Sequence, residues 1–180
     1  MSHEPSSHSD EASATPSQQA LPAPAVDLAS VILAIDWSLE RTAPGADICP
    51  LCAENPLQHS VYIKGHSTNG APMVYTRPAE AAMYDDHEGI VAHFRALAAR
   101  LHAAGPWSWV FDADGLAFRH ILDPRTGIHI ARALSDEFGD SVTAIHVLNA
   151  NALLRMCLAV VRPFLSERIS SKLFVHARVD

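Results

Sequence analysis

The chain has 180 residues, of which 48% are hydrophobic, and this suits one domain of ordinary size with a substantial core. Its formal net charge of −7 argues against binding to nucleic acid, because backbone phosphates require a net basic face. Three cysteines and no apolar secretory start favour a reducing compartment, so we expect a cytoplasmic protein. No stretch reaches the roughly 20 apolar residues of a spanning helix, and any membrane contact is expected to be peripheral.

The N-terminal quarter divides into three predicted segments. Residues 1–24 are rich in Ser, Pro, Ala and acidic residues, and we expect a disordered tail because they cannot bury enough apolar surface to fold. One domain is then expected over residues 25–180. Apolar residues at near-helical spacing predict a helix from Ala25 to Arg41. The next segment, TAPGADICPLCAENP, is dense in Pro and Gly and predicts an irregular connector.

A hairpin and a long helix are predicted next. Two short strands, Ser60–Lys64 and Pro72–Thr76, flank the loop GHSTNG, whose glycines supply turn conformations. Apolar positions at helical spacing then predict a helix from Asp86 to Ala104, with Gly105 at its end.

Alternating strands and helices follow in the second half. Strands are predicted at Trp107–Phe111 and Val142–Leu148, separated by a helix in which Ile130, Leu134 and Phe138 recur every four residues. Strands separated by helices of this length pair in parallel, so the pattern predicts an α/β layer fold.

The segment from Ala150 to Leu165 is apolar around almost its whole helical circumference. A helix of this kind is either buried on every side or moves between protein and lipid. The residues alone leave both interpretations open.

Several short motifs resemble one family. They are KGHSTNGAP, VFDADG, LAFRHILDP, VLNA and RPFL with a following SK, and they lie between about Trp37 and Val175. Together they resemble the CRAL-TRIO lipid-binding domain of phosphatidylinositol-transfer-like proteins. The resemblance implies a mixed, largely parallel sheet covered by helices, with Val160–Leu173 in the place of an apolar gate over a lipid cavity. Compared with the family pattern, the N-terminal helical part and the C-terminal end are short.

The resemblance implies binding, and transfer between membranes, of a lipid or other hydrophobic molecule without catalysis or a cofactor. The expected partners are the lipid, a transient membrane surface and a protein partner. The alternative is an adaptor that keeps the fold for protein binding, with a filled or open pocket. Lipid-binding residues are expected among aromatic and apolar side chains of the cavity wall and gate, and at two headgroup positions, Ser171 and Lys172. The wall and gate residues are Trp107, Trp109, Phe111, Phe118, Met156, Val160 and Phe164.

The two tryptophans of the central strand bear on the size of the cavity. Trp107 and Trp109 are two residues apart, so their indoles lie on the same face of the strand. If both point inward they reduce the cavity, and the ligand is then expected to be small.

Two cysteines have the spacing of a metal or redox motif. His59 and His66 would complete a zinc site with Cys49 and Cys52, but the histidine spacing exceeds the usual finger pattern. Ordinary connector cysteines are the preferred interpretation, and no metal site is predicted.

An enzyme is not predicted either. Asp112 and Asp114 flank a turn glycine, and we interpret them as turn-forming residues rather than an acid–base or metal pair. The chain offers no nucleophile and base in a recognisable motif.

Overall fold

The computed structural model describes residues 45–121 and 123–177. The predicted tail at 1–24 and the predicted helix at 25–41 therefore lie outside the described residues.

The described residues form a sheet and a set of helices that alternate along the chain. The strands are β1 (Val61–His66), β2 (Pro72–Thr76), β3 (Trp107–Asp112), β4 (Val142–Leu148) and β5 (Leu173–Val175). The helices are α1 (Pro50–Glu54), α2 (His87–Ala104), α3 (Arg125–Asp136), α4 (Ala152–Val161) and α5 (Glu167–Ser170). The 3-10 turns are Ala46–Ile48, Pro78–Glu80, Phe118–His120 and Arg162–Phe164.

Within the described residues the strands make one sheet in the order β1-β2-β3-β4-β5. β1 pairs antiparallel with β2, and every later pair is parallel. The parallel strands are joined through α2, α3 and α4. Core side chains of these helices pack against the same strand residues, Phe111 and Leu173, so the three helices lie on one face of the sheet, as right-handed connections require. The main core fills the space between that face and the helices. The predicted α/β fold with a largely parallel sheet is confirmed.

Helix α2 begins and ends at residues that are typical of helix termini. Asp86 precedes the helix, and its Oδ1 accepts a hydrogen bond from the backbone N–H of Gly89 at 3.0 Å. Gly105 ends it with φ of 139°, a conformation that other residues rarely adopt. The helix buries one face in the core, including Phe94 and Leu97. Its predicted bounds are correct to one residue.

The predicted irregular connector contains more regular structure than expected. Its described part includes a 3-10 turn and α1, which starts at Pro50, where the missing N–H of proline costs no helical hydrogen bond. Gly45 precedes the turn with φ of 90°, and a Cβ there would lie 2.7 Å from a methyl group of Leu97. The connector is thus packed against α2.

Helix α4 is not buried on every side, although its apolar composition would allow this. It ends at Val161, and Pro163 lies in the following 3-10 turn. Leu154 is its one buried side chain, whereas Met156 is 57% exposed and Val160 is 48% exposed. The interpretation as a fully buried core helix is therefore wrong. An opening movement of this helix stays a prediction.

Among the residues that the structure describes, no helix combines the length and the apolar character needed to cross a bilayer.

Candidate functional site: an apolar cavity beneath helix α4

A cavity of about 190 Å³ lies between the sheet and helices α2, α3 and α4. Its floor consists of side chains from the central strands: Val61, Thr76, Trp109, Phe111, Ile145, Val147 and Leu173. Its helical walls include Ile90, Phe94, Gly127, Ile130, Ala131, Leu134, Leu154, Cys157, Leu158 and Val161. Nearly all of these side chains are apolar, so the cavity suits a hydrophobic occupant.

The floor is fixed by Trp109. Its indole N–H donates to Thr76 Oγ1 at 3.0 Å, so the polar atom of the ring is satisfied within the wall. The ring centroid lies 4.9 Å from that of Phe94 and 6.0 Å from that of Phe111. These aromatic contacts pack the floor closely and leave it apolar.

Trp107 occupies the same face of the strand but lies deeper in the core. It is fully buried, its Nε1 donates to Ser141 Oγ at 3.0 Å, and its ring meets Phe94 at 6.4 Å. It is absent from the cavity lining. Both indoles therefore face the helices, as strand alternation indicated, and that of Trp107 fills space that a larger cavity would need.

The walls formed by α3 and α4 approach each other closely. A Cβ at Gly127 would lie 3.0 Å from a methyl group of Val161, so the missing side chain allows this approach. Cys157 lines the cavity from α4, and burial raises the pKa of its thiol. The thiol is neutral at pH 7 and serves as a small apolar group.

Polar side chains form one edge of the cavity. His87 Nδ1 lies 2.8 Å from Thr126 Oγ1, and His87 Nε2 lies 3.7 Å from Asp123 Oδ2. Tyr84 and His120 meet edge to face, with their centroids 5.1 Å apart. A ligand with one polar end would find donors and acceptors here.

Trp109 and Phe111 are the two predicted lipid-binding residues that line the cavity. Phe118 is 62% exposed, and Met156 and Val160 lie on the outer side of α4. Phe164 packs under the guanidinium of Arg132, which lies 5.0 Å from its ring centroid. Binding roles for these four residues stay predictions.

The predicted headgroup residues lie outside the cavity lining. Lys172 Nζ donates to the carbonyl oxygens of Gly139 at 2.8 Å and Val142 at 2.6 Å. Desolvation lowers its pKa, and the nearby Arg168 acts in the same direction. Ser171 Oγ donates to the carbonyl of Arg168 at 2.8 Å. A headgroup contact by Lys172 would require its ammonium to leave these carbonyls.

Asp112 has a structural role in the described contacts. Its Oδ1 accepts from the backbone N–H of Asp114 at 2.9 Å and from Asn149 Nδ2 at 2.7 Å, and its Oδ2 accepts from the Tyr75 hydroxyl at 2.8 Å. Asp114 pairs with the guanidinium of Arg77 at 2.6 Å. These contacts agree with turn-forming residues rather than a catalytic or metal pair.

A second group of side chains, which could bind a metal ion, lies near the edge strand β1. One ligand atom each from Cys49, Cys52, His59 and His93 fall within 4.8 Å of one another. His66, which sequence spacing had offered as a zinc ligand, is exposed at the far end of β1, so that assignment is wrong. Helix α2 supplies the fourth side chain, and no local spacing could indicate it.

The fold and cavity define a class of α/β domain in which helices enclose an apolar space over a largely parallel sheet. Residues 58–180, well over half of the chain, match the family model described as the CRAL/TRIO domain. The chain therefore belongs to the CRAL/TRIO domain family, and the resemblance seen in the sequence is confirmed.

A solved structure described as the crystal structure of Sfh5 has a similar fold. The two chains superpose with a TM-score of 0.58 at 10% sequence identity, over 73% of this chain and 52% of the Sfh5 chain. This chain thus covers about half of the length of that structure. At this level of identity the similarity bears on the fold alone.

Proposed function

We propose that the protein binds a lipid or another small hydrophobic molecule in the cavity beneath α4. The observation that carries the proposal is the apolar lining, which lies between the Trp109 floor and the inner side of α4. Membership of the CRAL/TRIO family supports ligand binding of this general kind. Transfer of the hydrophobic surface from water drives loading, with about 0.8 kcal/mol for each buried methylene.

The size of the cavity limits what can enter without movement. An apolar cavity of roughly 150 Å³ accommodates a molecule of the size of benzene, and ligand pockets commonly range from about 300 to 1,000 Å³. At about 190 Å³, this cavity fits one small apolar group or a short stretch of acyl chain. A larger lipid requires the wall to move outward.

Helix α4 is the wall that we propose to move. It buries Leu154 alone, while the outward side chains of Met156 and Val160 remain largely exposed. At a membrane these side chains would exchange water for lipid, which stabilises an outward position of the helix. Transfer between membranes would then follow from opening at the membrane and closing in solution.

Lipid that co-purifies with the protein provides the test of binding. The full chain is purified natively and extracted for mass spectrometry, together with Cys157→Trp, which fills the cavity, and Ala159→Trp, which places the same ring on the exposed side of α4. We expect a stoichiometric apolar ligand in the wild type and in Ala159→Trp, and its loss in Cys157→Trp. Equal ligand content in all three proteins would contradict binding in this cavity.

Transfer needs a separate measurement between labelled donor and acceptor vesicles. We expect the double variant Met156→Ser, Val160→Ser to transfer lipid at least threefold more slowly, while Ala159→Ser on the same exposed side transfers at the wild-type rate. Unchanged transfer by the double variant would exclude the outer side of α4 as the membrane contact.

The adaptor interpretation is the second candidate, and the buried indole of Trp107 favours it because that ring occupies interior space. It predicts a protein that is free of lipid after native purification and that takes up no fatty acid from vesicles. The co-purification experiment therefore separates the two functions.

A further inference from the structure

We infer that Cys49, Cys52, His59 and His93 form a structural zinc site that fastens the segment before β1 to helix α2. The inference does not rest on the proposed ligand function, although His59 also borders the cavity. Two thiolates and two imidazoles are a ligand set that zinc prefers, in tetrahedral geometry. One ligand atom from each of the four side chains lies within 4.8 Å of the other three, although the residues come from three places in the chain.

The distances fit a zinc ion at the centre. Zinc–sulfur bonds of about 2.3 Å and zinc–nitrogen bonds of about 2.0–2.1 Å, at tetrahedral angles, separate sulfur from nitrogen by about 3.6 Å. His59 Nδ1 lies 3.4 Å from Cys52 Sγ and 3.8 Å from Cys49 Sγ. Since all the ligand atoms lie within 4.8 Å of one another, small side-chain movements complete the tetrahedron.

His59 is oriented as a metal ligand. Its Nε2 lies 3.1 Å from Asp86 Oδ2, so the carboxylate holds a proton on Nε2 and leaves the Nδ1 lone pair directed at the two sulfur atoms. A carboxylate behind a ligating histidine is a recurrent feature of zinc sites. Asp86 is itself held by the backbone N–H of Gly89.

Gly89 makes room for that carboxylate. A Cβ at this position would lie 2.1 Å from Asp86 Oδ2, which is far inside any tolerable contact. The glycine therefore admits the group that orients His59.

His93 provides a second, independent observation in favour of a metal site. It is 2% exposed, and neither of its ring nitrogens has a hydrogen-bond partner of ordinary geometry among the described residues. Its ring meets that of His59 edge to face, with centroids 5.9 Å apart. A buried imidazole whose ring nitrogens lack well-formed hydrogen bonds is costly, and coordination of a cation would satisfy one of these nitrogens.

The four side chains are mostly enclosed by protein, but one of them reaches the surface. Cys52 and His59 are almost fully buried, whereas Cys49 is partly exposed and gives the ion a path of entry. Binding of zinc would displace the two thiol protons to solvent and form two zinc–thiolate bonds. With four protein ligands and no open position, the ion would serve stability rather than catalysis.

Metal content of the natively purified full chain tests the inference. We expect one zinc per chain in the wild type and in His66→Gln, which removes the exposed histidine of β1, and less than a tenth of that in Cys52→Ser and His93→Gln. Wild-type protein that contains no zinc, and that takes up none when reduced and supplied with zinc chloride, would overturn the inference. A Cys49–Cys52 disulfide in protein kept under reducing conditions would do the same.

Cobalt substitution makes the test independent of whether the variants fold. Wild-type protein stripped of metal and titrated with cobalt(II) is expected to develop the intense visible absorption of a tetrahedral cobalt–thiolate centre at one equivalent. A weak, octahedral spectrum without thiolate bands would contradict the proposed ligands. Asp86→Asn keeps a helix cap but favours the other tautomer of His59, and we expect 10–100-fold weaker zinc binding.

Discussion

Helices α2 and α4 both form walls of the cavity, but the more apolar of the two sequences is the less buried. α2 carries Arg95, Arg100 and several histidines, yet it places a full face in the core and has a capping residue at each end. α4 is dominated by Leu, Val, Met and Cys, yet it buries Leu154 alone. The difference shows that apolar composition does not measure burial.

We interpret the comparison as a division between a structural wall, α2, and a wall able to move, α4. α2 packs on Trp107 and Trp109 through Phe94 and stabilises the sheet. α4 directs apolar side chains both into the cavity and into solvent, an arrangement that suits a wall able to exchange one apolar surface for another.

The largest effect is expected from Phe94→Ala. Phe94 is 1% exposed and contacts both indoles, so its removal leaves a hole in the main core and should lower the free energy of unfolding by about 3–5 kcal/mol. Val160→Ala on α4 should change it by less than about 0.5 kcal/mol. Urea titration of the two variants measures the contrast, and similar losses would contradict the proposed division between the helices.

Asp86→Ala should have the next largest effect. The substitution removes the N-cap of α2 and also leaves the buried His59 Nε2 without its acceptor. We expect a loss of about 2–4 kcal/mol from these two contributions. Thermal unfolding followed by circular dichroism measures it, and a loss below about 1 kcal/mol would show that the contact with His59 does not contribute.

Lys172→Met separates a structural role from the predicted headgroup role. Removing the ammonium leaves the carbonyls of Gly139 and Val142 without their donor, which should cost about 1–2 kcal/mol in chemical unfolding. Arg168→Met is the control, because the exposed pair of Arg168 with Asp140 contributes little. If Lys172 also contacts a headgroup, its variant should transfer anionic lipid more slowly than the control does; equal transfer rates would remove it from the site.

The smallest effect is expected from Asn151→Ala, and it should be local. Asn151 Oδ1 accepts from the backbone N–H of Leu154 at 2.9 Å, and loss of this cap should destabilise α4 by about 1 kcal/mol. Hydrogen–deuterium exchange should then accelerate in residues 152–161 and remain unchanged in α2. Acceleration throughout the domain would show that α4 cannot open by itself.

Much of the fold followed from local patterns. The β2 strand, the α2 helix and the β4 strand were predicted almost to the residue, because their apolar periodicity and flanking Asp or Gly residues act locally. The end of α3 was less predictable. Phe138 continues the helical spacing and is buried, but it lies beyond the last helical residue, Asp136.

The cavity and the cysteine–histidine cluster were harder to predict because they depend on tertiary contacts. Strand alternation placed Trp109 and Phe111 on the cavity floor, but the exposure of Met156 depends on how α4 tilts against its neighbours. His93 joins Cys52 only because α2 packs beside the edge strand. No spacing along the chain carries that information.

Photo-crosslinking with a fatty acid that carries a diazirine on its acyl chain tests the central claim most directly, because it locates the ligand. We expect saturable labelling of the full chain, mapped by peptide mass spectrometry to residues on the inner side of α4 and on the facing side of α3, such as Leu158 and Ile130. Labelling confined to the opposite face of the sheet, at Tyr62 or Tyr75, or labelling that does not saturate, would contradict a hydrophobic ligand in the cavity beneath α4.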